Sequence, residues 1–345
     1  MSFIPFGTDD SVVSSEAITA ALWSSNVYNL SSSFFTSSTQ QTSTSGKSYL
    51  NVYNLAFGAS GSETQFSVAY GHISGSGSTA FNSAVDEKSP TRDIYGQYRN
   101  LIYGDEASVF NFGGSNGNSR DIYVINVNRA RYKQAIAAGT WGLKLTNSTA
   151  SIMLTDDSNS TTTTTFVGGN RVYNIVSGSL GYTYNTSSVQ TDSGSYGLFF
   201  PDMGIFVLNP RALALTYNGK FGIGLTPDET AATSYSLSYN TNASKVYNAI
   251  SASNGNFYAR SQETVSSTYF FVNAKSSQLN YTTNPSIIDT NGNVLYSTLV
   301  NDPQTYPTTI GMYNDAGELL AVAKLSKPLA KDFTKQLTCR VKLEF

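Results

Sequence analysis

The stretch "LTCRVKLEF", residues 337–345, alternates without a slip: Leu337, Cys339, Val341, Leu343 and Phe345 on one side, Thr338, Arg340, Lys342 and Glu344 on the other. Successive side chains of an extended chain point to opposite faces, so the segment reads as a strand with one apolar and one charged face. A segment tied into a sheet in this way resists fraying, which suits a rigid part of a larger object. Cys339, the only cysteine, falls on the apolar side and reads as a small core hydrophobe; no internal disulfide can form.

Upstream, the same alternation recurs. "STYFFVNAK", "SIID", "VLYSTLV", "TTIGMY" and "LLAVAKL" read as strands, with tight-turn signals at Asn291-Gly292 and in "NDAG". "SYLNVYNLAF" and "ETQFSVAYG" read as a hairpin in which Phe66, Val68 and Tyr70 share a face. "RDIYVINV", "TWGLKLT", "RVYNIVSGSLGYTY" and "GLFFPDMGIFVL" add strands, while "DDSNSTTTTT" reads as a loop or a sheet edge. Helices are few. One is expected between residues 89 and 103, started by Ser89 and Pro90, with Ile94, Tyr98, Leu101 and Ile102 on one face. A second is expected in "NRARYKQAIAAG", capped by Asn128, carried by Ala135 to Ala138 and ended by Gly139. Short helical turns follow in "NPRALAL", behind an Asn209 cap, and in "NASKVYNAIS".

The expected fold class is therefore mainly β, with β-sandwich-like sheets and a few short helices, arranged as one or two β-rich domains. Residues 1–47, with the Ser/Thr-rich "SSSFFTSSTQQTSTSGK", read as an N-terminal arm or irregular lead-in. Residues 48–208 and 209–345 then form the two β-rich parts.

The 345 residues are 40% hydrophobic and 13% aromatic, with 23 Tyr and 19 Phe, so the chain can bury a large core despite its Ser/Thr tracts. Charged residues make up 13%, against roughly 25% in ordinary soluble domains. With 21 basic and 23 acidic residues there is no global basic field to draw in nucleic acid or anionic lipid. A neutral surface rich in Tyr, Ser, Asn and Gly can instead be desolvated against a partner without stranding charges. The opening "MSFIPFGTDD" has no basic start and no apolar core of a secretory signal, and no apolar run approaches a membrane-spanning length. The expectation is a protein made and folded in a cytoplasm.

Catalytic patterns do not assemble. The single histidine, His72, stands at a strand end beside a glycine-rich turn and reads as a turn-capping or interface residue rather than a general base. "GGSNG" at 113–117 has the spacing of a nucleophile elbow around Ser115 but leads into a strand instead of a helix. "SGKS" at 45–48 lacks the earlier glycine of a phosphate loop, Gln41 standing in its place. Asp9-Asp10, Asp156-Asp157 and the stretch from Asp289 lack the ligand spacing of a calcium loop. No catalytic, cofactor-binding or metal-binding residues are assigned.

Three segments carry a resemblance: "DIYVINVNRARYKQAIAAGTWGLKL" (121–145), "ARSQETVSSTYFFVNAKSSQLNYTTNPS" (259–286) and "NDPQTYPTTIGMYNDAGELLAVAKLSKPLAKDFTKQLTCRVKLEF" (301–345). The chain resembles virion structural proteins of contractile-tailed phages, particularly those infecting cyanobacteria. The resemblance implies a non-enzymatic particle component, associated with the tail baseplate, assembled in the host cytoplasm and needing no cofactor. Its partners would be other virion subunits, including further copies of itself, with no nucleic acid and no membrane insertion. Neck, collar or capsid-accessory parts, and a glycan-binding receptor-recognition protein, are the rival expectations. Aromatic and arginine side chains anchor such contacts, so Tyr95, Tyr98 and Arg99 on the first expected helix and Arg129, Arg131 and Tyr132 on the second are the interface candidates.

Overall fold

A computed structural model describes residues 4–30, 36–37, 49–77, 90–114, 117–148, 150–161, 163–183, 194–215, 222–229, 241–252, 256–282 and 284–344. In chain order the first strands are β1 (Ser11–Ala21), β2 (Asn29–Leu30), β3 (Thr36–Ser37), β4 (Tyr49–Tyr53), β5 (Thr64–His72), β6 (Phe110–Asn111) and β7 (Asn118–Ser119). There follow β8 (Asp121–Val127), β9 (Ala135–Ile136), β10 (Gly142–Asn147), β11 (Ala150–Asp156), β12 (Thr165–Val167), β13 (Asn170–Ser179) and β14 (Tyr182–Thr183). The remainder are β15 (Gly197–Phe200), β16 (Ile205–Leu208), β17 (Phe257–Tyr258), β18 (Arg260–Ala274), β19 (Thr309–Tyr313), β20 (Leu319–Lys324) and β21 (Leu337–Glu344). Among the described residues four α-helices join them: α1 (Pro90–Tyr103), α2 (Pro210–Ala214), α3 (Thr241–Ser251) and α4 (Ser297–Asn301). The chain is mainly β with a few short helices, as its alternation dictates.

The contacts divide the chain into two compact units, one of Ile18–Glu263 and one built from both ends, Met1–Ala17 with Thr264–Phe345. The expected boundary near residue 208 is not where this division falls: Phe206 and Leu208 before it and Ala212, Leu213 and Val246 after it share one core.

The larger unit is organised by a sheet of order β2-β17-β10-β11-β13-β15-β16-β8-β5-β4-β3, with β12 and β14 attached to β13. Its central strands are buried on both faces, which explains why "DIYVINV" and "GIFVL" read as nearly continuous apolar runs. Alternation sorts their side chains. Tyr123, Ile125, Val127, Phe206 and Leu208 join one core, together with Trp141, Leu143, Leu145 and residues of α2 and α3. Ile122, Val124, Ile205 and Val207 join the other, covered by α1. The seat of α1 requires a glycine beneath it: a Cβ on Gly71 of β5 would come within 2.8 Å of the Tyr95 backbone nitrogen. Against Trp141, Phe206 packs edge-on at 4.7 Å and Phe199 tilted at 5.2 Å between centroids, and the two phenylalanines stack on each other.

Several expectations are corrected in detail. Within α1 the buried stripe is Thr91, Tyr95, Tyr98 and Ile102, while Leu101 is exposed; Ser89 lies outside the described residues. Asn128 does cap, its side chain accepting from the Ala130 nitrogen, but the helix is a single tight turn, Arg129–Arg131. Ala135 to Ala137 go into an extended segment instead, because the Ile136 and Ala137 amides donate to the carbonyls of Pro201 and Arg260, and tertiary pairing outweighs alanine's helical preference. "VLYSTLV" is not a strand; its second half, Ser297 to Val300, goes into α4. "SIID" forms only a single bridge, Ile288 to Val294, across the turn at Asn291-Gly292. The lead-in contains β1, a strand that the sequence reading treats as irregular.

The terminal unit holds the alternating strand β21. β21 pairs antiparallel with β18 over eight consecutive residues, Ser267 to Ala274 against Glu344 to Leu337, and β1 lies on the other side of β18. Cys339 and Val341 are buried and Thr338, Arg340, Lys342 and Glu344 exposed, as the alternation requires. β19 and β20 form a separate hairpin closed by Gly317 at φ +80.

Candidate docking surface

The sequence candidates divide on burial. Tyr95 and Tyr98 are inside the core beneath α1, and Tyr132 is buried in the core on the opposite face. The polar ends of two are engaged as well: the Tyr95 hydroxyl donates to the Ser119 carbonyl at 3.0 Å and accepts from the Phe110 amide at 3.2 Å, and the Tyr98 hydroxyl accepts from the Asn126 side chain at 3.4 Å. The three tyrosines are therefore packing residues, with no surface left to anchor a neighbour. The arginines stay nearer solvent. Arg131 pairs with Glu63 at 2.7 Å, Arg129 stacks 4.6 Å over the Tyr132 ring, and Arg99 lies 5.8 Å from the centre of Tyr95. A cleft of about 550 Å³ beside α1 brings Arg92 and Arg99 together with Asp93 and Glu106, so its charges offset one another.

The residues weighed for chemistry serve structure. His72 Nδ1 accepts from the Ser74 and Ser76 amides at 3.1 and 3.3 Å, which is the turn-capping role; burial lowers its pKa, in keeping with a neutral ring. Asp156 accepts from the Gly139 and Ser158 amides, and Asp157 from the Asn174 amide and side chain. Burial raises the Asp156 pKa. Asp121 on β8 is pushed up to about 6, chiefly by burial, while accepting from the Ser119 hydroxyl at 3.1 Å. Asp289 holds the Asn291 and Asn293 amides in its turn. Among the described residues no group of three or more His, Cys, Asp or Glu side chains could hold a metal, and no helix is long and apolar enough to cross a membrane. Ser115 and residues 45–48 lie outside the described residues.

What the sequence reading missed is the surface of the terminal unit. Among its described residues the buried apolar side chains are Ala274, Met312, Cys339 and Val341, whereas the larger unit buries several dozen. Its large apolar side chains lie open to solvent instead. Val12 and Val13 on β1, Leu319, Leu320 and Val322 on β20, and Tyr281, Leu295, Tyr296, Val300, Tyr306 and Phe333 in the connections are all exposed, Val13 by 73% and Leu320 by 69%. Part of this surface is concave. Phe6, packed 5.5 Å from Phe270, lines a groove of about 1040 Å³ with Val272, Leu279, Met312, Leu319 and Val322, and the charged side chains along it are Asp10 and Asp315. Exposed apolar surface on this scale, in a unit with so little core, is uncommon on a protein that works alone.

Order without a core comes partly from polar staples. Lys331 is fully buried, and its Nζ donates to the Ser276 carbonyl at 3.0 Å, Asn280 Oδ1 at 2.8 Å and the Asp332 carbonyl at 2.9 Å. All three donors of the ammonium are used, so it ties the segment after β20 to the turn after β18. Lys331 stands in an ordinary "PLAKDF" and gives no signal in the sequence; the open apolar surface gives one only in retrospect, as "LLAVA" and "SVVSS" without a matching core. Comparison of the chain with protein-family models, curated proteins and solved structures returns no match.

Proposed function

We propose that this protein is a non-enzymatic structural subunit of a phage particle, most simply of the contractile tail baseplate, that works by docking its terminal unit onto neighbouring virion subunits. The observation that carries the reading is the imbalance in that unit: among its described residues, four buried apolar side chains against a surface of exposed Val, Leu, Tyr and Phe. Obligate interfaces resemble a domain core cut in half, and a half-core left in water is costly at roughly 25 cal/mol per Å² of apolar area. A neighbour that covers about 800 Å² of it gains a stable contact. The low charge of the chain supports the same reading, because few ions have to be desolvated.

The larger unit, with its two-faced core, supplies the rigid body in this scheme. The catalytic inventory of the chain is thin, since the sequence has one histidine and one cysteine, and the histidine is spent on a turn. A neck, collar or capsid-accessory position would use the same docking chemistry, and only the address on the particle differs. Receptor recognition through glycans is the second reading, favoured by exposed Tyr281, Tyr296 and Tyr306.

Mass spectrometry of washed, gradient-purified particles tests the proposal, and absence of the protein overturns it. Cryo-electron microscopy of the particle assigns the position. Leu320→Lys, at a side chain that packs on little within the chain, should leave the fold intact and lower incorporation into particles by roughly tenfold. Unchanged incorporation would remove β20 from the docking surface, and specific binding on a glycan array would favour the second reading.

A further inference from the structure

The two sheets of this protein end differently. The large sheet terminates in β2 and β3, strands of two residues each, which is how natural sheets blunt their edges. The terminal sheet ends in β1, eleven residues, and β21, eight residues. Neither strand contains proline or glycine, and β21 pairs with β18 in unbroken register without a bulge. Among the described residues no other strand pairs with the outer edge of either. β1 is exposed along almost its whole length, Val12, Val13 and Ile18 included. Such an edge is a template for another strand.

The two edges are complementary. Glu16 is the only charged residue of β1, with Asp9 and Asp10 just before it, whereas β21 carries Arg340, Lys342 and Glu344, the last two paired with each other, so that Arg340 is the basic side chain left to meet an acidic edge. Their levels match too. The Phe271 amide donates to the Asp10 carbonyl on one side, and Phe271 faces Arg340 on the other, so Asp10 and Arg340 stand at the same height of the sheet. The pairing of Asp10 with Phe271 and the contact of Ala20 with Ser261 show that β1 runs antiparallel to β18, as β21 does. β1 and β21 therefore point the same way.

We infer that the partner at these edges is a second copy of this chain, the β21 edge of one copy lying parallel to the β1 edge of the next, with Arg340 brought to Asp10. This deepens the docking reading and rests on it. The contact is heterologous, joining two different surfaces, so it propagates head to tail and closes into a ring or extends as a filament. Main-chain hydrogen bonds hold the strands, and the acidic and basic edges fix which edge meets which.

Thiol cross-linking of the full-length chain tests this, with wild type setting the background because Cys339 is buried. Val13→Cys and Leu343→Cys, level with each other in this register, are made singly and together and treated with a mild oxidant; within one chain the two positions are separated by two strand spacings, about 10 Å, beyond the reach of a disulfide, so only neighbouring copies can be joined. The double variant should give a ladder of covalent dimers, trimers and higher species, and each single variant should stay monomeric. Arg340→Glu should move the association midpoint in sedimentation velocity to a concentration about threefold higher or more, a shift that added salt reduces. Dimers from Val13→Cys alone would mean an isologous β1 contact and overturn the head-to-tail arrangement. A protein that is monomeric at every concentration yet present in purified particles overturns the self-pairing and leaves the docking reading standing; absence from particles overturns the docking reading itself.

Discussion

Asp121 shows how a single residue can be costly and still retained. Its carboxyl is nearly fully buried on β8, and the penalty of ionising there lifts its pKa to about 6, above the ordinary carboxylate value near 4. Because the folded pKa is the higher, the folded state binds more protons between pH 4 and 6, and this group's contribution to stability falls as pH rises through that window. Asp121→Asn, which keeps an acceptor for Ser119, should therefore remove that fall and leave the variant more stable above pH 6 by about 2 kcal/mol, measured by urea denaturation across pH 4–8. Lys331 is the opposite case, a buried cation whose donors are all satisfied. Lys331→Ala strands three acceptors and should cost about 2–3 kcal/mol, with faster amide exchange in residues 276–280 and 331–334. Neither role is legible in sequence. The same limit applies to Tyr95, Tyr98 and Tyr132: a phenol has an apolar body and a polar tip, so composition alone cannot separate a core tyrosine from an interface one.

Elements were legible wherever one face is buried and the other is not. The alternation of β4, β5, β10 and β21 shows directly in the sequence, and the hairpin turn between β19 and β20 is announced by Asn-Asp-Ala-Gly. β1 was not legible, because "SVVSSEAITAA" is exposed on both faces and no pattern distinguishes in from out. Ala135 to Ala137 misled for a different reason: their helix preference is worth a few tenths of a kcal/mol each, less than the hydrogen bonds and burial that hold them extended. The position of α1 depends on close backbone approach at Gly71. Gly71→Ala forces the helix outward and should cost about 1–3 kcal/mol in equilibrium denaturation, with the loss shared by Tyr95 and Ile102 packing.

At the scale of the whole molecule the division of labour is between a unit that buries its apolar side chains and one that displays them. No composition shift marks this, since the terminal unit is assembled from segments distant in sequence, and only the pairing of β1 and β21 with β18 brings them together. The expected consequence is unequal stability. In hydrogen exchange of the isolated protein, amides of β19, β20 and β21 should exchange well before those of β8 and β16, and the difference should narrow once the protein is bound within its assembly. Equal protection in both units would show that the terminal unit draws its stability from contacts other than its own small core.

The flanking of β18 by β1 also sets a timetable. Every strand of the large sheet is encoded between these two partners, so on the ribosome β1 emerges first and waits, unpaired, while the rigid body forms. Under the head-to-tail pairing proposed above, a chain whose body has folded still lacks the β21 edge, so self-association waits on the synthesis of β21.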